Sequence, residues 1–157
     1  MKKQMLHIGD LSPNFNAYID NGNNITLNEF QGKNVVLYFY PKDETPGCTV
    51  EAKEFSEFIQ YFHKINTMIL GVSKDSVESH DKFIKNNNLL FNLISDVEQS
   101  ICNKYDVIKE KKMFGKTYLG IERSTFLIDK DGYIKYIWRN VKVMGHVQNV
   151  LEEAKKI

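Results

Sequence analysis

Apolar positions along this chain follow two periods. "NVVLYFYP" (Asn34 to Pro41) and "TMILGVS" (Thr67 to Ser73) are unbroken apolar runs. Such runs suit strands buried on both faces. Pro41 closes the first, because proline cannot donate to a sheet ladder. From Ala52 the period lengthens. Phe55, Phe58, Ile59 and Phe62 fall at i, i+3, i+4 and i+7, the stripe of one helix face. "DSVE" (Asp75, Glu78) has capping-box spacing and predicts a helix through about Asn87. "LLFNLIS" reads as a short strand. "SDVE" (Ser95, Glu98) predicts a helix carrying Val97, Ile101 and Tyr105.

The flanks follow the same logic. "AYIDNGNNITL" predicts a hairpin, two short β-prone runs around an Asn-Gly turn. "MFGKTYLG" reads as a loop. "RSTFLID" and "YIKYIWR" read as strands joined by the turn "DKDG", and Val147, Val150, Leu151 and Ala154 form the apolar stripe of a last helix. Alternating strands and helices, then a hairpin, predict an α/β fold. Its sheet is mixed, parallel in the centre with antiparallel additions, and helices cover both faces. A thioredoxin-like sheet is consistent with that order, and pattern alone does not single it out.

Composition narrows the function classes. The 157 residues suit a single domain, 1–157, with no repeat, low-complexity tract or linker. A net charge of +1 gives no pull toward nucleic acid or acidic lipid. No stretch approaches the roughly 18 apolar residues of a membrane span. "MKKQMLHIGD" has a basic start with no apolar run of signal-peptide length behind it. Two cysteines are too few for a disulfide framework. The expectation is a cytoplasmic protein. Arginine is scarce: Arg123 and Arg139 stand against 19 lysines.

Chemistry concentrates in "YFYPKDETPGCTVEA", Tyr38 to Ala52. Cys48 lies where a buried strand has ended and a helix begins. Pro46 fits a first helical turn, where its missing N–H is not needed. The unpaired N–H groups and partial positive charge of that turn stabilise a thiolate. Open α/β sheets build their sites beyond the carboxyl ends of their strands. A buried, inert cysteine is the competing reading, and the Pro, Thr, Pro and Gly around Cys48 argue against it.

Several cysteine chemistries fail on the sequence. A dithiol oxidoreductase needs a C-x-x-C, and Thr45 and Glu51 occupy the partner positions. None of His7, His63, His80 and His146 sits in a hydrolase context. His80 lies on the Phe83/Ile84 side of its helix and reads as a satisfied core or rim histidine. Cys and His are too scattered for a metal site. "GKT" at Gly115 to Thr117 has Glu110 where a phosphate-binding loop needs glycine. What remains is a lone thiolate suited to a small electrophile, such as a peroxide O–O bond, whose attack leaves a sulfenic acid. Thr45 and an arginine are candidate donors for the departing oxygen.

At these residues the chain resembles the peroxiredoxins. Pro41, Thr45 and Cys48 match the pattern Pro-x-x-x-Thr/Ser-x-x-Cys. The wider string, with "GDLSPNF", "SDVEQSICNKYDV", "MFGKTYLGIERSTFLID" and "IKYIWRNVKVMGH", is similar to the Q-type branch over nearly the whole chain. The resemblance implies a thioredoxin-like fold with an amino-terminal β-hairpin. It implies a thiol-dependent peroxidase acting on hydrogen peroxide and organic hydroperoxides without a bound cofactor. Cys48 would be the peroxidatic cysteine, Thr45 would hydrogen-bond the thiolate and the peroxide, Pro41 would shield the pocket, and Arg123 in "IERSTF" would polarise the substrate. Arg139 reads as a rim or salt-bridge residue. Many Q-type members carry a resolving cysteine five residues after the peroxidatic one, where this chain has Lys53. Cys102, in "SICNKY", reads as a buried hydrophobe. The implied cycle is therefore a one-Cys cycle closed by thioredoxin, or by glutaredoxin with glutathione. A two-Cys cycle through Cys102, and a peroxide sensor or redox relay, are the alternatives. The resemblance allows a monomer or a homodimer.

Overall fold

The computed structural model describes residues 5–157; the basic start at Lys2 and Lys3 lies outside them. One seven-stranded sheet organises these residues, in the order β2-β1-β5-β4-β3-β8-β9. Its strands are β1 (Asn16–Ile19), β2 (Asn24–Thr26), β3 (Asn34–Phe39), β4 (Thr67–Ser73), β5 (Asn92–Ser95), β8 (Ser124–Ile128) and β9 (Ile134–Trp138). The central trio β3, β4 and β5 is parallel. The hairpin β1–β2 adds antiparallel on one side and β8–β9 on the other. The two unbroken apolar runs are β3 and β4, and both are interior strands, as their lack of alternation requires.

Alternation along β3 divides the core in two. Val35, Leu37 and Phe39 face one layer, with Phe15, Ile101, Cys102 and Tyr105. Val36, Tyr38 and Tyr40 face the other, with Cys48, Phe55, Phe62, Phe83 and Val150. The helices are α1 (Pro46–Glu57), α2 (Ile59–Lys64), α3 (Val77–Asn87), α4 (Ser100–Lys104) and α5 (His146–Ala154). Helices α1, α2, α3 and α5 pack on the second face, and α4 packs on the first. No helix among the described residues is long and apolar enough to cross a membrane.

Four local expectations are corrected. The stripe through Phe55 and Phe62 is not one helix, because Phe58 leaves helical geometry at φ −95, ψ 7 and the chain restarts as α2. Phe55, Ile59 and Phe62 are buried and Phe58 only partly. Helix α3 is capped by Ser76, whose hydroxyl accepts from the Ser79 N–H; Asp75 bonds Ser73 and Asp43 instead. Helix α4 begins at Ser100 rather than near Ser95, with Asp96 accepting from the N–H groups of Ile101 and Cys102 at 3.2 and 2.8 Å. "MFGKTYLG" is not a loop but part of an antiparallel ribbon, β6 (Ile108–Met113) and β7 (Lys116–Ile121), turning at Phe114 and Gly115. The ribbon is mostly exposed, and its apolar residues, such as Met113, Tyr118 and Leu119, do not alternate with polar ones.

Candidate active site

Sheet register builds the site. Phe39 stands opposite Ser124 in the antiparallel β3–β8 pair. One step further, Arg123 therefore lies beside the end of β3, where the chain turns into Pro41–Thr45. Helix α1 starts at the far end of that turn. Thr45 occupies its N-cap position in extended backbone, Pro46 is the first helical residue, and Cys48 falls in the first turn.

Cys48 is 1% exposed. Arg123 donates from Nη2 to Cys48 Sγ at 3.3 Å and from Nη1 to Glu51 Oε1 at 2.6 Å. The guanidinium fork thus spans two groups that lie three residues apart on one helix face. Gly47 lies against the guanidinium: a Cβ there would stand 3.4 Å from Arg123 Nη2, an ordinary contact. The guanidinium and the positive end of α1 both stand beside the sulfur. Arg123 is itself held above its ordinary range, since Glu51 and the Cys48 thiolate outweigh its partial burial.

Glu51 was not among the expected site residues. Its side chain is fully buried and paired with Arg123, yet Oε2 has no hydrogen-bond partner. Burial pushes its carboxyl up to about 7, against the pull of Arg123. The available signal was its position one turn after Cys48. Tyr38 Oη is likewise buried without a partner, and burial, then the charges of Glu51 and Cys48, hold its phenol far up. Unpaired buried polar atoms are uncommon in folded proteins, and here both lie around the thiol.

The other expected residues are placed as follows. Pro41 lines a cavity of about 330 Å³ with Lys111, Glu122, Arg123 and Asn140. Lys111 reaches it from β6, and burial, then repulsion from Arg123, lowers its ammonium below the ordinary lysine range. The Thr45 hydroxyl does not bond the sulfur; it donates to the Lys42 carbonyl at 2.7 Å. Among the described residues Arg139 forms no salt bridge. It donates to the carbonyls of Asp106 and Tyr105 and lies 5.3 Å from the Phe126 ring centre. His146 is buried with Nε2 2.8 Å from Thr125 Oγ1, and burial, then Arg123, lowers it to about 4.

Cys102 is on the other side of the sheet. It is fully buried among Phe39, Tyr105 and Phe126, while Cys48 packs with Tyr38, Phe55 and Phe62. Layers on a sheet stand roughly 10 Å from it, and a disulfide needs Cα atoms within about 7 Å. Burial, then the neighbouring Asp96 carboxylate, pushes the Cys102 thiol far up.

Among the described residues, one cluster has metal-type side chains within reach of one another: Asp43, Asp75 and His80, with ligand atoms within 4.8 Å. Both His80 nitrogens and both carboxylates are already engaged inside the protein, so this is a hydrogen-bonded network.

Comparison with known proteins gives concordant results. The model of the AhpC/TSA family matches residues 8–137. Peroxiredoxin Bcp of Bacillus subtilis is 47% identical over 150 residues, covering 96% of each chain. A Xanthomonas campestris bacterioferritin comigratory protein, solved in work on its alkyl peroxide reduction activity, is 46% identical. It superimposes with a TM-score of 0.87 over 90% of each chain. A mutant of PrxQ from Xylella fastidiosa is 42% identical, with a TM-score of 0.93 over 98% of each chain.

Proposed function

The chain belongs to the AhpC/TSA family, in its Q-type peroxiredoxin branch, and on that premise we propose that Cys48 is the peroxidatic residue of a one-Cys cycle. The protein is a thiol peroxidase, an oxidoreductase that reduces a hydroperoxide with electrons from a thiol. The observation that carries the assignment to Cys48 is the Arg123 guanidinium 3.3 Å from its sulfur, at the first turn of α1.

The Cys48 thiolate attacks the terminal oxygen of the hydroperoxide. The O–O bond breaks, the hydroxyl passes to sulfur as a sulfenic acid, and the other oxygen leaves as alkoxide or hydroxide and takes a proton. Charge moves from sulfur to the departing oxygen, and Arg123 lies beside both positions. Glu51 holds the other arm of the fork and keeps the guanidinium in the plane the transition state needs. Pro41 shields the cavity beside Arg123. Thr45, at the N-cap, is the proposed hydroxyl donor to the peroxide; in the structure its hydroxyl donates to the Lys42 carbonyl.

The placement of Cys102 across the sheet supports resolution by an outside thiol. The incoming thiol displaces the hydroxyl of the sulfenic acid as water, and a second thiol then releases Cys48 by exchange. Thioredoxin, or glutaredoxin with glutathione, is the proposed reductant. We read residues 1–157 as one domain acting in the cytoplasm as a monomer or homodimer. Continuous consumption of hydrogen peroxide, with thioredoxin or glutathione supplied, tests the assignment. Many turnovers by wild type and none by Cys48→Ser are expected. A single oxidation without turnover indicates a sensor instead, and equal rates in both proteins overturn the role of Cys48.

A further inference from the structure

The turn that delivers Thr45 and Cys48 is anchored by a buried charged network that the peroxide chemistry does not use. The Asp43 carboxylate, 2% exposed, accepts from Tyr40 Oη at 2.6 Å, from Ser79 Oγ at 2.8 Å and from His80 Nδ1 at 2.7 Å. The Asp43 N–H donates to Asp75 Oδ2 at 2.9 Å, an oxygen that also accepts from Ser73 Oγ at 2.6 Å. His80 Nε2 faces the Ile94 carbonyl at 2.9 Å. A carbonyl only accepts, so Nε2 carries hydrogen. Nδ1 faces a carboxylate, so it donates as well. With both nitrogens donating, His80 is an imidazolium.

The surroundings agree. The titratable groups facing His80 are Tyr40 at the end of β3, Asp43 in the turn and Asp75 before α3; β5 presents a carbonyl. Burial works against the charge, and Asp43, the Ile94 carbonyl and Asp75 together outweigh it and raise His80 above its ordinary value. The next residue in the turn, Glu44, is held at φ +63, a disfavoured region for a residue with a Cβ, and its carboxylate accepts from Asn86 at 3.0 Å. Such a backbone persists only while its surroundings hold it. Both anchors reach to the same helix, α3.

The cycle makes opposite demands on this turn. Peroxide reacts with a Cys48 held against Arg123, at 1% exposure. An outside thiol must reach the oxidised sulfur, which requires the first turn of α1 to open. We propose that the His80–Asp43 ion pair is a positioning pair that holds the Pro41–Thr45 turn closed, so that its strength divides the enzyme's speed between oxidation of Cys48 and release of Cys48 to an outside thiol. The proposal rests on the peroxidase reading above.

The sign of the pH effect follows. Below the raised His80 value the pair is intact and the turn is closed. As pH rises through it, Nδ1 loses its proton and a lone pair faces the carboxylate. The turn loosens, and resolution gains at the expense of oxidation.

The experiment measures the two half-reactions separately by stopped flow, in wild type, Asp43→Asn, His80→Gln and the milder Ser79→Ala. Oxidation is read with hydrogen peroxide. Resolution is read with 5-thio-2-nitrobenzoate, a coloured thiolate ionised across the range, added to pre-oxidised enzyme. The expected result is a split. Oxidation falls about tenfold in Asp43→Asn and His80→Gln, while resolution rises roughly fivefold as the open population grows. Ser79→Ala shifts both in the same directions by less. Wild-type resolution rises as pH climbs above the ordinary histidine value, and that rise is absent in His80→Gln. Labelling of reduced Cys48 by a bulky maleimide follows the resolution rates and needs no peroxide. Both half-reactions falling together in folded variants, or a wild-type resolution rate flat with pH, overturns the proposal. A wild type that peroxide does not oxidise overturns the peroxidase reading, and the maleimide rates then decide the positioning role alone.

Discussion

The two cysteines make the clearest comparison in the molecule. Both are buried to 1% exposure or less, both lie in helices, and each backs onto one face of the same strand β3. They differ in the sign of what stands beside them. Cys48 sits in the first turn of α1 with a guanidinium on its sulfur. Cys102 sits in a short helix whose start is capped by the Asp96 carboxylate, and that carboxylate adds to burial in disfavouring its thiolate. Burial alone therefore does not decide whether a cysteine is inert. Both sit third in their helices, so the charge beside the sulfur is what separates them.

The comparison breaks most completely at Cys48 itself. Cys48→Ser lowers the rate of peroxide reduction at least about a thousandfold, whereas Cys102→Ser changes it by less than about twofold; stopped-flow oxidation reads both. Next comes the charge on the sulfur. Arg123→Met costs roughly a hundredfold to a thousandfold in kcat/KM for hydrogen peroxide, the scale of losing a preorganised donor. Recovery to near wild type in Arg123→Lys would show that charge suffices and the fork does not matter.

A smaller effect is expected at Glu51. Glu51→Gln lowers kcat/KM about tenfold by removing the charge that helps hold one arm of the guanidinium. It also changes two pH profiles. The carboxyl is held up to about 7 from an ordinary 4.5, so ionising it in the folded state is unfavourable. Wild-type stability from this group falls as pH rises from the ordinary value to about 7 and is level above it. Glu51→Gln flattens that fall in denaturation midpoints and removes an inflection near 7 from kcat/KM. The smallest effect lies across the sheet. Cys102→Ala costs about 1 kcal/mol of stability through a small cavity, and leaves peroxide reduction unchanged; a larger loss of activity than of stability would bring Cys102 into the cycle.

Much of this contrast was legible in the chain. The buried strands announced themselves as unbroken apolar runs, and the shaped turn after Pro41 marked Cys48 as unlike a core residue. Arg123 stood out because arginine is scarce. What stayed hidden had physical reasons. The β6–β7 ribbon is mostly exposed, so its sequence is not forced to alternate and nothing betrays it. The break at Phe58 leaves the apolar spacing intact. Glu51 is a buried charge, which composition assigns to the surface. The Asp43–His80 pair joins positions 37 apart in sequence, and nothing local links them. The side of the sheet taken by Cys102 depends on the register of strands far from it, and that decides whether it can meet Cys48.

The most direct test of the account counts thiols and measures intact mass after one equivalent of hydrogen peroxide is added to the reduced protein. A one-Cys cycle centred on Cys48 predicts the loss of one thiol and the gain of one oxygen, with both changes absent in Cys48→Ser. Loss of two thiols, with two hydrogens gone and no oxygen gained, would mean that Cys48 and Cys102 meet. The separation of the two cysteines by the sheet would then be contradicted.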